Sequence, residues 1–221
     1  MDSTFYDSNY YENGIASKKS LYTNYRWLKN ETNDLKDNLI KYLNIENNMS
    51  ILDYGCAKGY LVYAFRTSGY SAYGVDISSY AISQCFEEIK GNMKCIDSVE
   101  DIPLEWGYFD FCIAKDTLEH LEIVSLEKTL SELSKRCNKL FVIIPLGDGQ
   151  KYLDIEQEQD VSHIIKEPLE WWIKKFVNFG WSVVETSTHM PSMKPRYIDK
   201  PGTQGFFLLQ TINNVVGLHL T

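Results

Sequence analysis

Apolar residues along this chain fall into short runs that alternate with segments repeating at helical spacing. β-Branched or aromatic runs at residues 50–53, 72–76, 93–96, 109–114 and 139–144 read as strands, and residues 60–66, 81–89 and 126–136 carry apolar positions at the period of a helix. Parallel neighbours need crossover helices, so this rhythm predicts an α/β domain with a mostly parallel sheet. A tryptophan-bearing helix over 168–179 stops at Gly180, two strand-like runs follow at 181–186 and 206–212, and the Pro-, Lys- and Arg-bearing stretch 190–205 reads as a loop. Ahead of the first strand, Tyr6, Tyr10, Tyr11, Tyr22, Tyr25 and Trp27 crowd a polar segment, and apolar residues recur at helical spacing from about Leu21 to Leu43. The pattern predicts an N-terminal helical cap over residues 1–45 and one domain over 46–221, with no repeat or long linker.

Composition narrows the class. With 44% hydrophobic and 24% charged residues, the 221-residue chain can bury one good core, which excludes disordered and collagen-like chains. A net charge of −8 argues against a nucleic-acid partner, because such binding rests on neutralising phosphates with a basic face. No apolar run approaches the roughly 20 residues that cross a bilayer, and the start Met1-Asp2-Ser3-Thr4 lacks the basic and apolar stretches of a signal peptide. A cytoplasmic protein without an integral membrane segment is expected. Cys56, Cys85, Cys95, Cys112 and Cys137 form no C-x-x-C pair and read as reduced, packing thiols.

The most informative stretch is Ile51-Leu52-Asp53-Tyr54-Gly55-Cys56-Ala57-Lys58-Gly59-Tyr60, a strand running into a glycine-bearing turn and then a helix. Gly55 and Gly59 let backbone approach a ligand, and Asp53 offers acceptors at the strand's carboxyl end. The spacing D-x-G-x-x-x-G is neither the dinucleotide G-x-G-x-x-G nor a P-loop. About 20 residues on, Tyr73-Gly74-Val75-Asp76 puts an acid where it can hold ribose hydroxyls. The glycines could also serve only a tight turn, and Asp76 could cap the next helix.

Together, L-D-Y-G-C-A-K-G and G-V-D-I-S resemble a class I S-adenosylmethionine-dependent methyltransferase. Ile96-Asp97-Ser98, Tyr108-Phe109-Asp110-Phe111 and Asn178-Phe179-Gly180-Trp181 are similar to later motifs of that family, in order. The resemblance implies a Rossmann-like sheet of seven mostly parallel strands flanked by helices. It also implies that Asp53, Gly55 and Gly59 line the methionine part of the cofactor, Asp76 followed by Ile77 the ribose, and Asp97 with Ser98 the adenine. Methyl transfer from a sulfonium needs no covalent enzyme intermediate, so Cys56 is expected to pack.

After the fourth strand comes Lys115-Asp116-Thr117-Leu118-Glu119-His120. Were the chain helical from Asp116, then Asp116, Glu119 and His120 would share one face, a ligand set for Mg²⁺ or Mn²⁺ that His163 could complete. The pattern is similar to the E-x-x-E-H…H of metal-dependent small-RNA 2′-O-methyltransferases and some quinone O-methyltransferases, with Asp116 replacing the first glutamate. Without metal, His120 or His163 could act as base, with Asp116 beside them; a purely structural role is the third reading. Lys115 is a weaker base candidate, and His189 and His219 are expected at the surface. The N-terminal Phe5-Tyr6-Asp7-Ser8-Asn9-Tyr10-Tyr11 resembles small methyltransferases of bacterial and large-virus glycan assembly. That implies a sugar hydroxyl as acceptor, deoxysugars included, and glycosyltransferases of the same pathway as partners. The cap aromatics and Trp171-Trp172 are candidate platforms for the acceptor. A quinone or phenolic O-methyltransferase and a non-catalytic cofactor-binding module are the alternatives.

Overall fold

Ser50–Tyr54 (β1) buries every residue after Ser50, so its apolar run does not alternate. A parallel strand covered by helices on both faces has no solvent side. The computed structural model describes residues 2–212. Its further strands are Ser71–Asp76 (β2), Met93–Cys95 (β3), Phe109–Lys115 (β4), Cys137–Pro145 (β5), Trp181–Ser187 (β6) and Gln204–Thr211 (β7). They form one seven-stranded sheet in the order β3-β2-β1-β4-β5-β7-β6, in which β7 alone runs antiparallel to its neighbours. This is the expected Rossmann-like α/β architecture. The chain works outward from β1 to β3 and then returns to β4 on the other side of β1, which opens a crevice at the strands' carboxyl ends.

Successive residues point to opposite faces, so each strand feeds two cores. Leu52, Cys112 and Val142 join one cluster, built with Leu126, Leu130 and Leu133 of Ile123–Arg136 (α6 below) and Trp172 and Phe176. Ile51, Phe111 and Phe141 join the other, with Val62 and Phe65 and with Leu39 and Leu43. The helices, in chain order, are Ser8–Glu12 (α1), Gly14–Ser17 (α2), Lys29–Leu43 (α3), Tyr60–Thr67 (α4), Ser79–Ser83 (α5), Ile123–Arg136 (α6) and Leu169–Asn178 (α7). α3 packs on α4 beside the sheet, whereas Tyr10 and Tyr11 of α1 join Tyr6 in an aromatic cluster that borders the crevice. No helix among the described residues is long and apolar enough to cross a membrane.

Three expectations need correction. The cap helix starts at Lys29 and not near Leu21, because residues 24 and 25 give their backbone N–H groups to the carbonyls of Glu12 and Tyr11 rather than to a helical turn. The helix expected over 81–89 is split into α5 and a 3₁₀ turn at Glu87–Asn92. Phe86 between them is extended and packs its ring 4.3 Å from that of Tyr63. The Trp171-Trp172 pair is no acceptor platform: Trp172 is wholly buried in the core, Trp171 packs against it under Lys175, and neither lines the crevice. The loop 190–205 is as expected apart from one 3₁₀ turn, Pro195–Tyr197. His189 is exposed, and His219 lies outside the described residues.

Candidate active site

The crevice is a cavity of about 1490 Å³. Asp53, Gly55, Asp76, Ile77, Asp97 and Ser98 line it, as do Asp116, His120, His163 and Lys194, and Tyr6, Tyr10, Tyr11, Tyr22 and Tyr25 join them from the cap segment. Gly55 has φ +82°, and a Cβ there would fall 2.3 Å from the Thr117 side chain, so only glycine lets the β1 and β4 turns approach this closely. Gly59 does not line the cavity. Its φ is +72°, and a Cβ would strike Met93 and Ile89, so its smallness serves packing under α4.

Asp76 is buried and ties two turns together, its Oδ2 accepting from Ala57 N at 2.7 Å and its Oδ1 from Ser78 N at 2.8 Å. Burial raises its carboxyl above the ordinary range, against these hydrogen bonds. Asp53 is pushed up to about 7 by burial, with Lys115 pulling it down and the Asp76 charge adding to the rise. Two buried acidic side chains lining one cavity could hold a ligand that carries positive charge and hydroxyl groups. Asp97 is exposed at the rim, and Ser98 spends its side chain in a capping box with Asp101. Cys56 packs at the same turn, and burial pushes its thiol well up, as its packing role requires.

The cap is latched to this turn. Buried Lys58 donates to Glu12 Oε1 at 2.5 Å and to the Tyr25 carbonyl at 2.7 Å, Tyr80 donates to the same Glu12 oxygen at 3.0 Å, and Ser78 Oγ donates to the Tyr6 carbonyl at 2.5 Å.

Beyond β4 the helical face expected for Asp116, Glu119 and His120 does not form. Asp116 takes φ +52°, and only a 3₁₀ turn, Leu118–His120, follows. The Asp116 carboxylate turns instead to two lysines, 2.6 Å from Lys115 Nζ and 2.6 Å from Lys194 Nζ. Burial alone would raise this carboxyl, but the two ammonium groups hold it well below the usual range. Glu119, His120 and His163 do come together, one potential ligand atom from each lying within 4.8 Å of the others, and Asp116 is not among them. The main chain makes this convergence, since Ile164 N and Ile165 N both donate to the Glu119 carbonyl, each at 3.0 Å.

Hydrogen-bond logic fixes the imidazoles. Ser162 Oγ gives its one proton to Asp160 Oδ1 at 2.5 Å, so in its 2.9 Å contact with His120 Nδ1 it must accept. His163 Nδ1 donates to the Gln157 carbonyl at 3.1 Å. Both rings therefore keep their lone pair on Nε2. Burial, then the neighbouring His163, lowers His120 to about 4, and burial lowers His163 as well against Asp160 and Asp116, so both are neutral near pH 7. Between them Glu119 is fully buried, and neither carboxylate oxygen has a partner. Burial and the Asp116 charge raise its carboxyl well above normal. Once Glu119 gives up its proton, its carboxylate and the two Nε2 lone pairs are three acceptors that fit a divalent cation. Sequence reasoning missed Lys194, Asp160, Ser162 and the Glu12–Lys58 latch. Only the Asp-x-Ser spacing at 160–162, a common turn pattern, hinted at any of them.

Residues 27–200 match the family model described as "Methyltransferase domain". The fold agrees. An S-adenosylmethionine-dependent methyltransferase from Archaeoglobus fulgidus is similar at TM-score 0.60 and 20% identity, over 81% of this chain and 94% of that one. One from Clostridium acetobutylicum ATCC 824 gives TM-score 0.60 and 13% identity, over 80% and 91%. Magnesium protoporphyrin IX methyltransferase from Synechocystis PCC 6803, solved with bound SAH, gives 0.61 and 14%, over 95% and 100%. No curated protein matches the chain. The chain belongs to the methyltransferase domain family and is a methyltransferase.

Proposed function

We propose that this enzyme methylates an oxygen of a small polar acceptor, a sugar hydroxyl in free or glycan-linked form, with a divalent cation, Mg²⁺ or Mn²⁺, held by Glu119, His120 and His163. The observation that carries the reading is the unpartnered, fully buried Glu119 carboxylate beside two histidines whose Nε2 lone pairs are free. A cation there supplies positive charge beside an acceptor hydroxyl and lowers the cost of its losing a proton. For S-adenosylmethionine, Asp76 offers acceptors to the ribose diol, Asp53 offers negative charge to the amino and sulfonium groups, and Ile77, Asp97 and Ser98 border the adenine side. Gly55 lets the turn approach the methionine part; Gly59 shapes that turn from behind.

The protein's own side chains make the acceptor half. Tyr6, Tyr10 and Tyr22 line the cavity beside Asp160 and Gln157, and aromatic rings suit the C–H faces of a sugar. His120 at about 4 is a weak base at neutral pH, because proton transfer works best when the base titrates near the working pH. That favours the histidine as ligand over unaided base. Acting on sugars, the enzyme would work beside glycosyltransferases of the same pathway.

The test is transfer of labelled methyl from S-adenosylmethionine to a panel of sugars, glycans and phenols, with and without chelator. Chelator-sensitive labelling of a diol-bearing sugar is expected; labelling of phenols alone, indifferent to chelator, would overturn both the acceptor and the cation.

A further inference from the structure

Tyr10 lies in α1 of the cap, and its hydroxyl donates to Asp160 Oδ2 at 2.8 Å. The other oxygen of the same carboxylate takes Ser162 Oγ at 2.5 Å and Ser162 N at 3.0 Å. Ser162 Oγ in turn meets His120 Nδ1 at 2.9 Å. All three outer members of this chain are buried, Ser162 completely. Nearby, Val161 N donates to the Lys19 carbonyl, so the main chain of this loop is also pinned to the cap segment.

We propose that Tyr10, Asp160 and Ser162 form a positioning relay by which the cap fixes the His120 ring with its proton on Nδ1 and its Nε2 lone pair turned to the site. This rests on the reading of His120 as the working imidazole. The direction of the relay follows from counting protons. Asp160 can only accept, and it is already oriented by the Tyr10 hydroxyl. The serine hydroxyl must therefore point at Asp160, and an oxygen that has given away its proton can only accept from His120. Reversing any one link would leave a buried donor facing a donor, or an acceptor facing an acceptor, at the cost of a lost buried hydrogen bond. A cap displaced from the crevice takes the Tyr10 hydroxyl with it, leaving Asp160 Oδ2 without its donor and the carboxylate free to turn. The arrangement thus couples cap closure to a ring that lines the cavity; the Tyr6 ring, also of the cap segment, lies edge-on to His120 at 6.1 Å.

The test reads which ring nitrogen of His120 carries the proton, by ¹⁵N-histidine NMR on the full-length protein at a pH where the ring is neutral. The wild-type protein is expected to show a protonated Nδ1 and an unprotonated Nε2. Ser162→Ala should populate the other tautomer, Ser162→Thr should restore the first, and Tyr10→Phe, which deletes only the far end of the relay, should give a mixture. Turnover should fall about 10- to 100-fold in Ser162→Ala, the usual cost of losing a partner that orients a functional histidine, with KM for S-adenosylmethionine little changed. Tyr10→Phe keeps the question decidable if Ser162→Ala does not fold. A wild-type ring protonated on Nε2, or wild-type nitrogen shifts in both Ser162→Ala and Tyr10→Phe, would overturn the relay. The spectra need no acceptor, so they support or sink the relay even if the methylation assay finds a different substrate.

Discussion

Lys194, in the loop ahead of β7, reaches Asp116 at the end of β4 with a 2.6 Å ion pair between residues 78 positions apart. The same ammonium donates to Gln204 Oε1 at 2.6 Å, so one side chain ties β4 and β7 together beside the cavity. Burial lowers the Lys194 ammonium while the Asp116 charge sustains it. Asp116 keeps Lys115 if Lys194 is lost, so the cost should fall short of a fully orphaned charge.

Lys194→Met is accordingly expected to cost about 1–3 kcal/mol near pH 7, read by urea unfolding. The sign with pH is set by Asp116. Its folded value lies below its unfolded value of about 3.9, so its contribution is present above that pH and is lost as pH falls through the folded value. The gap between wild type and Lys194→Met should therefore narrow as unfolding is repeated at pH values stepped down below about 3.9 toward the folded value. A gap that stays constant down to the lowest pH at which both proteins fold would show that Lys194 contributes nothing through the Asp116 charge.

This pair also marks where the sequence stops being legible. Strands β1, β2, β4 and β5 could be read because parallel strands buried on both faces leave unbroken apolar runs, and the Asp53-to-Gly59 turn because its glycines are fixed in spacing. His120 and His163 could be picked out because few residue types bind metal or move protons. The left-handed backbone of Asp116 carries no such mark: aspartate tolerates it, yet it redirects the carboxylate from the histidines to the lysines. Lys194 and Ser162 sit in loops, where no period reports which strand end they will meet. The aromatic spacing of residues 21–27 imitates a helix, but its backbone bonds go to residues 11 and 12, a pairing that periodicity does not encode.

Asp53 gives the proposed cofactor site a pH signature. Its carboxyl is raised to about 7 by burial, with Lys115 opposing and Asp76 reinforcing. A folded value above the unfolded one contributes stability that is full below about pH 3.9 and is lost as pH rises through about 7. A cationic ligand favours the ionised form, so binding S-adenosylmethionine below pH 7 should expel a proton. Affinity should rise between pH 5.5 and 7.5, with a limiting slope of about tenfold per pH unit. Calorimetry in two buffers of different ionisation enthalpy would count the proton released. Asp53→Asn should bind more weakly and with a flat pH profile; an unchanged slope in that variant would assign the proton to another group.

The proposed cation site makes a demand that can be read without any acceptor. In metal-free protein Glu119 is a buried carboxyl with no partner, held neutral by burial and by the Asp116 charge. Replacing it with the isosteric amide in Glu119→Gln should therefore change metal-free stability by less than about 1 kcal/mol. Adding Mn²⁺ or Mg²⁺ should raise the melting temperature of the wild-type protein by mass action, approaching about 2.7 kcal/mol of stabilisation at one hundred times Kd, and should leave Glu119→Gln and His163→Ala unmoved. Binding of S-adenosylmethionine should survive in both variants, because Asp53 and Asp76 are not among the residues whose ligand atoms converge with Glu119. Asp116→Asn should retain the metal-induced shift, since Asp116 is engaged by Lys115 and Lys194 and not by the histidines. A wild-type melting temperature indifferent to every divalent cation tested, together with full turnover in excess chelator, would reject the site and leave His120 and His163 to position the acceptor unaided.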